Sequence, residues 1–205
     1  MKCVWTGLTG GPGCGKSEAV KSFREIPGWQ CFDTDRICHE IYEENDSPLV
    51  RQMESRWGVE IRASDGKPDR KKIADKIFNN STEREWLNSI LHPEILFRLE
   101  KKISESGTSW ALIEVPLLFK ANFDAKMDKT VAVWSPEEIQ MERLLARGWT
   151  REHAEKRIAS QLTAAKKLEM ADYGIINRGS LESLREQCIR TAKEIMNSFE
   201  NQIRE

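Results

Sequence analysis

Apolar runs and amphipathic stretches alternate along most of the chain, which predicts strands that alternate with helices. Short apolar or β-branched runs predict strands at 2–6, 29–32, 110–115 and 129–134, with a further apolar piece at 173–176. Helix-forming segments lie at 16–25, after Asp35, at 136–147, at 151–170 and from Leu181 onwards. This order predicts an α/β fold, in which a parallel sheet has helices on both faces.

The stretch from 47 to 105 differs, because it contains helical patterns and no convincing strand. The helical patterns cover 47–58, 69–78 and 82–103, and a turn is expected at 63–69. We therefore expect a helical insertion at about 47–107, within a core built from about 1–46, 108–147 and 171–205.

Two helix starts carry capping signals. Asp35 is expected to cap the helix that follows the second strand. Ser135 and Glu138 match a capping box, with Pro136 in the first helical turn. Gly148 is expected to end this helix.

Composition excludes several classes of protein. Of the 205 residues, 32 are basic and 33 are acidic, so nothing favours bulk attraction to nucleic acid or to a membrane surface. No apolar run approaches the ~20 residues that span a bilayer, and the N-terminus lacks the pattern of a signal peptide. The five cysteines form no C-x-x-C pair, so we expect reduced thiols in a cytoplasmic protein rather than disulfides or zinc ligands.

The strongest motif follows the first strand. Gly10, Gly15, Lys16 and Ser17 match G-x-x-x-x-G-K-[ST], a loop whose backbone amides surround phosphate oxygens. The lysine reaches the β and γ phosphates, and the serine hydroxyl can bind Mg²⁺. Cys14 lies inside the loop, and we expect its side chain to point away from the phosphates rather than to act as a reactive thiol.

Residues 33–35, Asp-Thr-Asp, indicate a kinase rather than a switch or a motor. The D-x-x-G and N-K-x-D motifs of GTPases do not occur, and the strand at 110–115 has Glu114 near its end where a motor ATPase would need an aspartate. In an open parallel sheet, ligands bind outside the carboxyl ends of the strands. Asp33 follows the second strand, so its carboxylate can accept a proton from an acceptor hydroxyl during phosphoryl transfer. A turn with a helix cap is the alternative interpretation.

A basic segment follows the fourth strand, at Arg143, Arg147, Arg151, Arg157, Lys166 and Lys167. Guanidinium groups on a closing segment would stabilise the charge of a transferring phosphoryl group and exclude water. A solvated helix face with i, i+4 spacing explains most of these residues equally well, so only one or two of them need contact phosphate.

Taken together, these stretches resemble the dephospho-CoA kinase family from end to end. The resemblance is carried by LTGGPGCGKS (8–17), DTD (33–35), DR (69–70), HP (92–93), PLLF (116–119), Q-x-x-R-L-x-x-R (140–147), AD (171–172) and NRGS (177–180). The phosphate loop alone also resembles adenylate kinase, whereas the order and spacing of the other motifs are more selective.

The resemblance implies a P-loop NTPase three-layer fold with a helical substrate-binding insertion and a helical lid at 148–170. It implies ATP-dependent phosphorylation of the ribose 3′-hydroxyl of dephospho-CoA, with Mg²⁺, in a monomer or weak homo-oligomer. By position, the catalytic residues would be Asp33, Lys16 and Arg143, and ATP would bind Gly11, Pro12, Gly13, Cys14, Gly15, Lys16, Ser17 and, near the adenine, Asn177. The acceptor would bind Thr9, Asp35, Arg70, His92 and Leu117, and Arg147 and Arg157 would belong to the lid.

Two positions depart from the family pattern, and alternatives stay open. Glu18 follows the loop serine where the family often has Thr. Lys120 follows PLLF where the family usually has Glu, and this charge reversal leaves open how the acceptor or the lid is arranged. His92 can equally be a core histidine at a local break before Pro93. Another small-molecule kinase, such as a nucleoside monophosphate kinase, and a nucleotide-binding protein without transfer activity are the alternative functions.

Overall fold

The structure, a computed structural model, describes residues 3–78 and 80–204. Its strands are β1 Val4–Gly10, β2 Trp29–Asp33, β3 Trp110–Glu114, β4 Lys129–Trp134 and β5 Tyr173–Ile176. Its α-helices are α1 Lys16–Arg24, α2 Thr34–Tyr42, α3 Pro48–Trp57, α4 Arg70–Phe78, α5 Ser81–Ser106, α6 Glu137–Ala146, α7 Arg151–Ala159, α8 Ala164–Met170 and α9 Leu181–Arg204. The predicted order of strands and helices is confirmed.

The strands form one sheet in the order β2-β3-β1-β4-β5. The central strand, β1, pairs in parallel with β3 and β4, and β4 pairs in parallel with β5. β1 is buried along most of its length and runs to Gly10, beyond the predicted end at residue 6. Its carboxyl end therefore leads directly into the phosphate loop.

The chain divides into two compact units. The sheet unit comprises the described residues of Met1–Phe32 and Gly107–Glu205, and the helical unit comprises Asp33–Ser106. In the sheet unit, α1 packs against α9 and β3, α9 against β5, and α8 against β4 and β1. Helices therefore cover the parallel sheet in the three-layer arrangement that the sequence predicted.

The helical unit has its own core, in which α2, α3 and α4 all pack against α5. It begins at Asp33 rather than near residue 47, because α2 buries Ile37 and Ile41 among these helices. An amphipathic pattern shows that a helix has a buried face but does not show what covers that face.

α5 continues through Pro93, so the local break expected beside His92 is wrong. Proline removes one backbone hydrogen bond and crowds the preceding turn. Leu91 and Ile95 are buried on either side of it, and this packing holds the helix together.

Both predicted caps also differ from the structure. The N-cap of α2 is Asp33, whose carboxylate accepts hydrogen bonds from the backbone N–H groups of Asp35 and Arg36. The N-cap of α6 is Pro136, and no side chain caps that helix. Ser135 is fully buried and bonds elsewhere, as described below.

Candidate active site

The turn from β1 to α1 has the backbone of a phosphate-binding loop. Gly13 and Gly15 have φ of +75° and +93°, a left-handed conformation that favours glycine. Gly15 is the N-cap of α1, and no side chain caps this helix. A helix N-terminus approached by a glycine-rich turn is a general anion-binding arrangement, because its first amides and its dipole both favour negative charge.

Lys16 folds back over this loop. Its ammonium group donates hydrogen bonds to the carbonyl oxygens of Gly10 and Gly11, at 3.1 and 3.3 Å. Ser17, the next residue of α1, is exposed. The ammonium group and the hydroxyl therefore both lie at the N-terminus of the helix, as the motif predicts.

Residues of α6 explain why two loop positions are glycine. A Cβ at Gly11 would lie 2.9 Å from Oε1 of Gln140, and one at Gly13 would lie 2.6 Å from the Gln140 carbonyl oxygen. Gln140 is itself buried and donates through Nε2 to the Ser135 carbonyl at 2.8 Å. The Q-x-x-R motif thus begins with a residue that packs directly against the loop.

Arg143 ends the same motif and joins the loop to the segment after β5. Its guanidinium group donates to the Gly13 carbonyl at 3.3 Å and to the Ser135 hydroxyl at 3.1 Å. It also donates to both oxygens of Asn177, each at 3.4 Å, and Asn177 Nδ2 donates to the Cys14 carbonyl at 2.9 Å. These bonds place Arg143 against the loop. Its contact with phosphate stays a prediction.

The Cys14 side chain belongs to the hydrophobic core of the sheet unit. Burial raises the pKa of this thiol, although Lys16 and Lys167 lie close enough to oppose the shift. A reactive cysteine requires a lowered pKa and access to solvent. The burial and the raised pKa therefore agree with the expectation that Cys14 is not a reactive thiol.

The structure reveals one group at the loop that sequence reasoning did not single out. Lys167 of α8 is only 2% exposed, and its ammonium group donates to the carbonyl oxygens of Gly10 and Pro116 and to Oε1 of Gln161. Thr9 also donates to the Pro116 carbonyl, at 3.2 Å. In the sequence, Lys167 is one of two adjacent lysines on a polar helix, so no pattern distinguishes it from the exposed Lys166.

The remaining arginines of the basic segment lie on the surface. Arg147, Arg151 and Arg157 are exposed, and Arg151 forms a 3.9 Å ion pair with Glu155. The interpretation of a solvated face therefore fits these side chains, and their contact with phosphate stays a prediction.

Lys120, one of the two departures from the family pattern named above, contacts the predicted lid. Its ammonium group donates to the carbonyl oxygen of Ser160 at 3.1 Å, and Ser160 is the C-cap of α7. Positive charge stabilises a helix C-terminus, where a glutamate would be repelled. Within the sheet unit, Lys120 thus connects the segment after β3 to the end of α7.

The helical unit holds four predicted site residues. Asp33 is half-buried at the start of α2, Asp35 is exposed in the first turn, and Arg70 is the first residue of α4. His92 is half-buried in α5, and burial lowers the pKa of its imidazole. Leu117, another acceptor candidate, belongs to the sheet unit and is 43% exposed.

Comparison with known proteins agrees with this geometry. The family model described as dephospho-CoA kinase matches residues 4–183. A dephospho-CoA kinase of Carboxydothermus hydrogenoformans is 39% identical over 187 residues, which cover 89% of this chain and 90% of the relative.

Solved structures share the fold over nearly the whole chain. A crystal structure from Thermus thermophilus has a TM-score of 0.82 at 26% identity and covers 95% of this chain and 98% of its own. The dephospho-CoA kinase of Campylobacter jejuni has a TM-score of 0.67 at 24% identity, with 97% and 99% covered. The family model and the relative that is 39% identical both match most of a chain whose phosphate loop packs against the Q-x-x-R motif. The chain therefore belongs to the dephospho-CoA kinase family.

Proposed function

We propose that this protein transfers the γ-phosphoryl group of ATP to the ribose 3′-hydroxyl of dephospho-CoA, giving coenzyme A and ADP, the last step of coenzyme A biosynthesis. The observation that carries the proposal is the phosphate loop, with Lys16 folded over it, in a chain of this family. Relatives named dephospho-CoA kinase match about nine tenths of the chain, which supports the same reaction here.

ATP would be held by the loop from Gly11 to Ser17. Its amides and the N-terminus of α1 suit the phosphate oxygens, and Lys16 suits the charge on the β and γ phosphates. Ser17 is exposed, and its hydroxyl would hold Mg²⁺, which would offset the negative charge of the phosphates. The position of Asn177 near the adenine stays a prediction, and its bond to Cys14 supports a role in shaping the loop.

We propose Asp33 as the general base. The 3′-hydroxyl oxygen forms a bond to the γ-phosphorus as the bond between this phosphorus and the β–γ bridging oxygen breaks. The hydroxyl proton passes to the Asp33 carboxylate, and ADP leaves with the bridging oxygen. The position of Asp33 at the carboxyl end of β2 supports this role, because parallel sheets bind ligands beyond the carboxyl ends of their strands.

The acceptor-binding residues are proposals with different support. Arg70 is exposed, and its guanidinium group suits the pyrophosphate of dephospho-CoA. Leu117 offers exposed apolar surface, and a neutral His92 can exchange hydrogen bonds without carrying charge. Thr9 is fully buried and bonded to Pro116, which supports a role in holding the loop rather than touching the acceptor.

The remaining expectations stay predictions of the proposed function. A lid at 148–170 would exclude water, so that ATP is not hydrolysed before the acceptor binds. No described helix is long and apolar enough to cross a membrane. We propose a cytoplasmic location and a monomeric or weakly associated state.

The test is ADP formation from ATP and Mg²⁺ in the presence of dephospho-CoA, AMP, CMP or buffer alone. We expect rapid ADP formation with dephospho-CoA only. Preference for AMP or CMP would indicate a nucleoside monophosphate kinase, and equal ADP formation in buffer would indicate an ATPase. ATP binding without any ADP formation would indicate a nucleotide-binding protein without transfer activity.

A further inference from the structure

Lys167 places a buried ammonium group beside the phosphate loop. Its Nζ donates to the carbonyl oxygen of Gly10 at 3.0 Å, to that of Pro116 at 2.9 Å and to Oε1 of Gln161 at 2.7 Å. A lysine ammonium has three N–H donors, so this arrangement uses all of them. The acceptors come from the end of β1, the segment after β3 and the segment before α8.

All three acceptors are neutral, so in the part of the chain that the structure describes no carboxylate accepts a hydrogen bond from this buried ammonium group. Lys16 brings a second ammonium group to the same Gly10 carbonyl. The strands against which α8 packs, Val4–Gly10 and Lys129–Trp134, contain a single charged residue, Lys129. In α8 itself, Glu169 is exposed and pairs with Lys166. Burying a cation without a counter-charge is unfavourable, so the site favours an anion.

The electrostatics of the site agree with this reading. Burial and the neighbouring Lys16 lower the pKa of Lys167 to about 8. A charged Cys14 thiolate would raise the pKa of Lys167. Burial raises the pKa of the Cys14 thiol, however, so this thiol is neutral near pH 8. A polyphosphate bound by the loop would bring the missing negative charge and favour the protonated lysine.

We propose that Lys167 is a positioning residue of the nucleotide site, which clamps the Gly10 carbonyl to Pro116 and Gln161 and supplies a buried counter-charge for the bound polyphosphate. Lys16 and Lys167 share the Gly10 carbonyl, so Lys167 can hold this carbonyl in place when Lys16 donates to a phosphate. The inference rests on the proposed function only in requiring that the loop binds ATP.

The first test is calorimetric titration with ATP in the absence of acceptor. Lys167→Met keeps the apolar length of the side chain and removes the ammonium group, and we expect ATP to bind about 10- to 100-fold more weakly. Lys166→Met is the matched control, since Lys166 is exposed on the same helix and should bind ATP like the wild type. Equal ATP affinity in the wild type and Lys167→Met would overturn the proposal. Absence of ATP binding in the wild type would instead contradict the proposed function.

The second test measures proton uptake, which a merely structural lysine would not produce. Titrations at pH 8 in two buffers of different ionisation enthalpy should show uptake of up to about half a proton per ATP, because a group with a pKa near 8 becomes fully protonated. Uptake should persist in Lys166→Met and disappear in Lys167→Met. If Lys167→Met does not fold, the wild-type measurement decides alone, and absence of uptake at pH 8 overturns the proposal.

Discussion

Asp33→Asn separates the helix cap seen at this residue from the general base that we propose. Asp33 Oδ1 accepts hydrogen bonds from the backbone N–H groups of Asp35 and Arg36, at 2.8 and 3.3 Å. Asparagine keeps a side-chain oxygen in this position and is as good an N-cap as aspartate. Its amide cannot take a proton from the acceptor hydroxyl at neutral pH. The substitution therefore removes the base and leaves the cap.

The two roles differ in size and in the quantity that they change. Loss of a general base lowers turnover by about 10²–10⁴-fold, which is roughly 2.7–5.4 kcal/mol of activation free energy. Loss of the cap alone, as in Asp33→Ala, lowers the free energy of unfolding by about 1 kcal/mol. A domain with a stability of about 5–15 kcal/mol stays folded after such a loss. Capping therefore cannot account for a hundredfold decrease in turnover.

The assay compares kcat at saturating ATP and dephospho-CoA for Asp33→Asn, Asp33→Ala and Asp35→Asn. Calorimetry gives the ATP affinity of each variant, and urea unfolding gives its stability. We expect both Asp33 variants to lose turnover and to bind ATP normally, since the loop holds the nucleotide. Only Asp33→Ala should also lose stability. Asp35→Asn should retain most of its turnover, because Asp35 lies in the first turn of α2 rather than at the end of β2.

A larger loss of turnover in Asp35→Asn than in Asp33→Asn would show that the base is misassigned. A loss below about tenfold in both variants would show that neither carboxylate is the base, since it lies outside the range for general-base catalysis.

Substitutions at three positions, Lys16, Lys120 and Gly13, test the loop and the predicted lid, each with its own measurement. Lys16→Ala should lower kcat by at least about 10²–10³-fold, because it removes a donor to the transferring phosphoryl group. Near-wild-type turnover in a folded variant would contradict the assignment of this segment as a phosphate-binding loop. Lys120→Glu puts negative charge at the C-terminus of α7 and should lower the free energy of unfolding by about 1–2 kcal/mol. Lys120→Met should lower it by roughly half as much. An unchanged free energy of unfolding in Lys120→Glu would show that the contact contributes nothing to stability. Gly13→Ala should lose both stability and ATP affinity, since its Cβ would lie 2.6 Å from the Gln140 carbonyl oxygen. Gly148 has a similar φ, but nothing lies within 4 Å of a Cβ added there. Gly148→Ala should therefore lower the free energy of unfolding only by the roughly 1–2 kcal/mol that a left-handed backbone costs. Equal losses of stability in Gly13→Ala and Gly148→Ala would refute the packing argument.

Several features of the site were predictable because they depend on short stretches of sequence. The strand, glycine cluster and helix around Lys16 are local, and the structure has each of them. The aspartates of 33–35 were recognised as site and cap candidates, but the cap was assigned to Asp35 instead of Asp33. Both residues can cap a helix, and which of them does so depends on where strand β2 ends and helix α2 begins.

Other residues could be understood only from contacts between distant parts of the chain. Ser135 matched a capping box, yet its hydroxyl lies 2.6 Å from the Asn177 carbonyl oxygen and 3.2 Å from that of Cys14. Both acceptors lie far from Ser135 in sequence, so no local rule could have replaced the predicted cap. The same reason explains why α2 was assigned to the core of the sheet unit rather than to the helical unit.

Sequence alone determined the reaction class of this protein, because a phosphate loop is built from consecutive residues whose backbone conformation and charge follow from their identity. Tertiary structure alone decided which cation is buried beside that loop. Lys166 and Lys167 are adjacent and chemically identical, but one is exposed beside Glu169 and the other bonds to three acceptors from other segments. A helix turns about 100° per residue, so the packing of α8 on β1 and β4 determines which of two neighbouring lysines is buried against the Gly10 carbonyl.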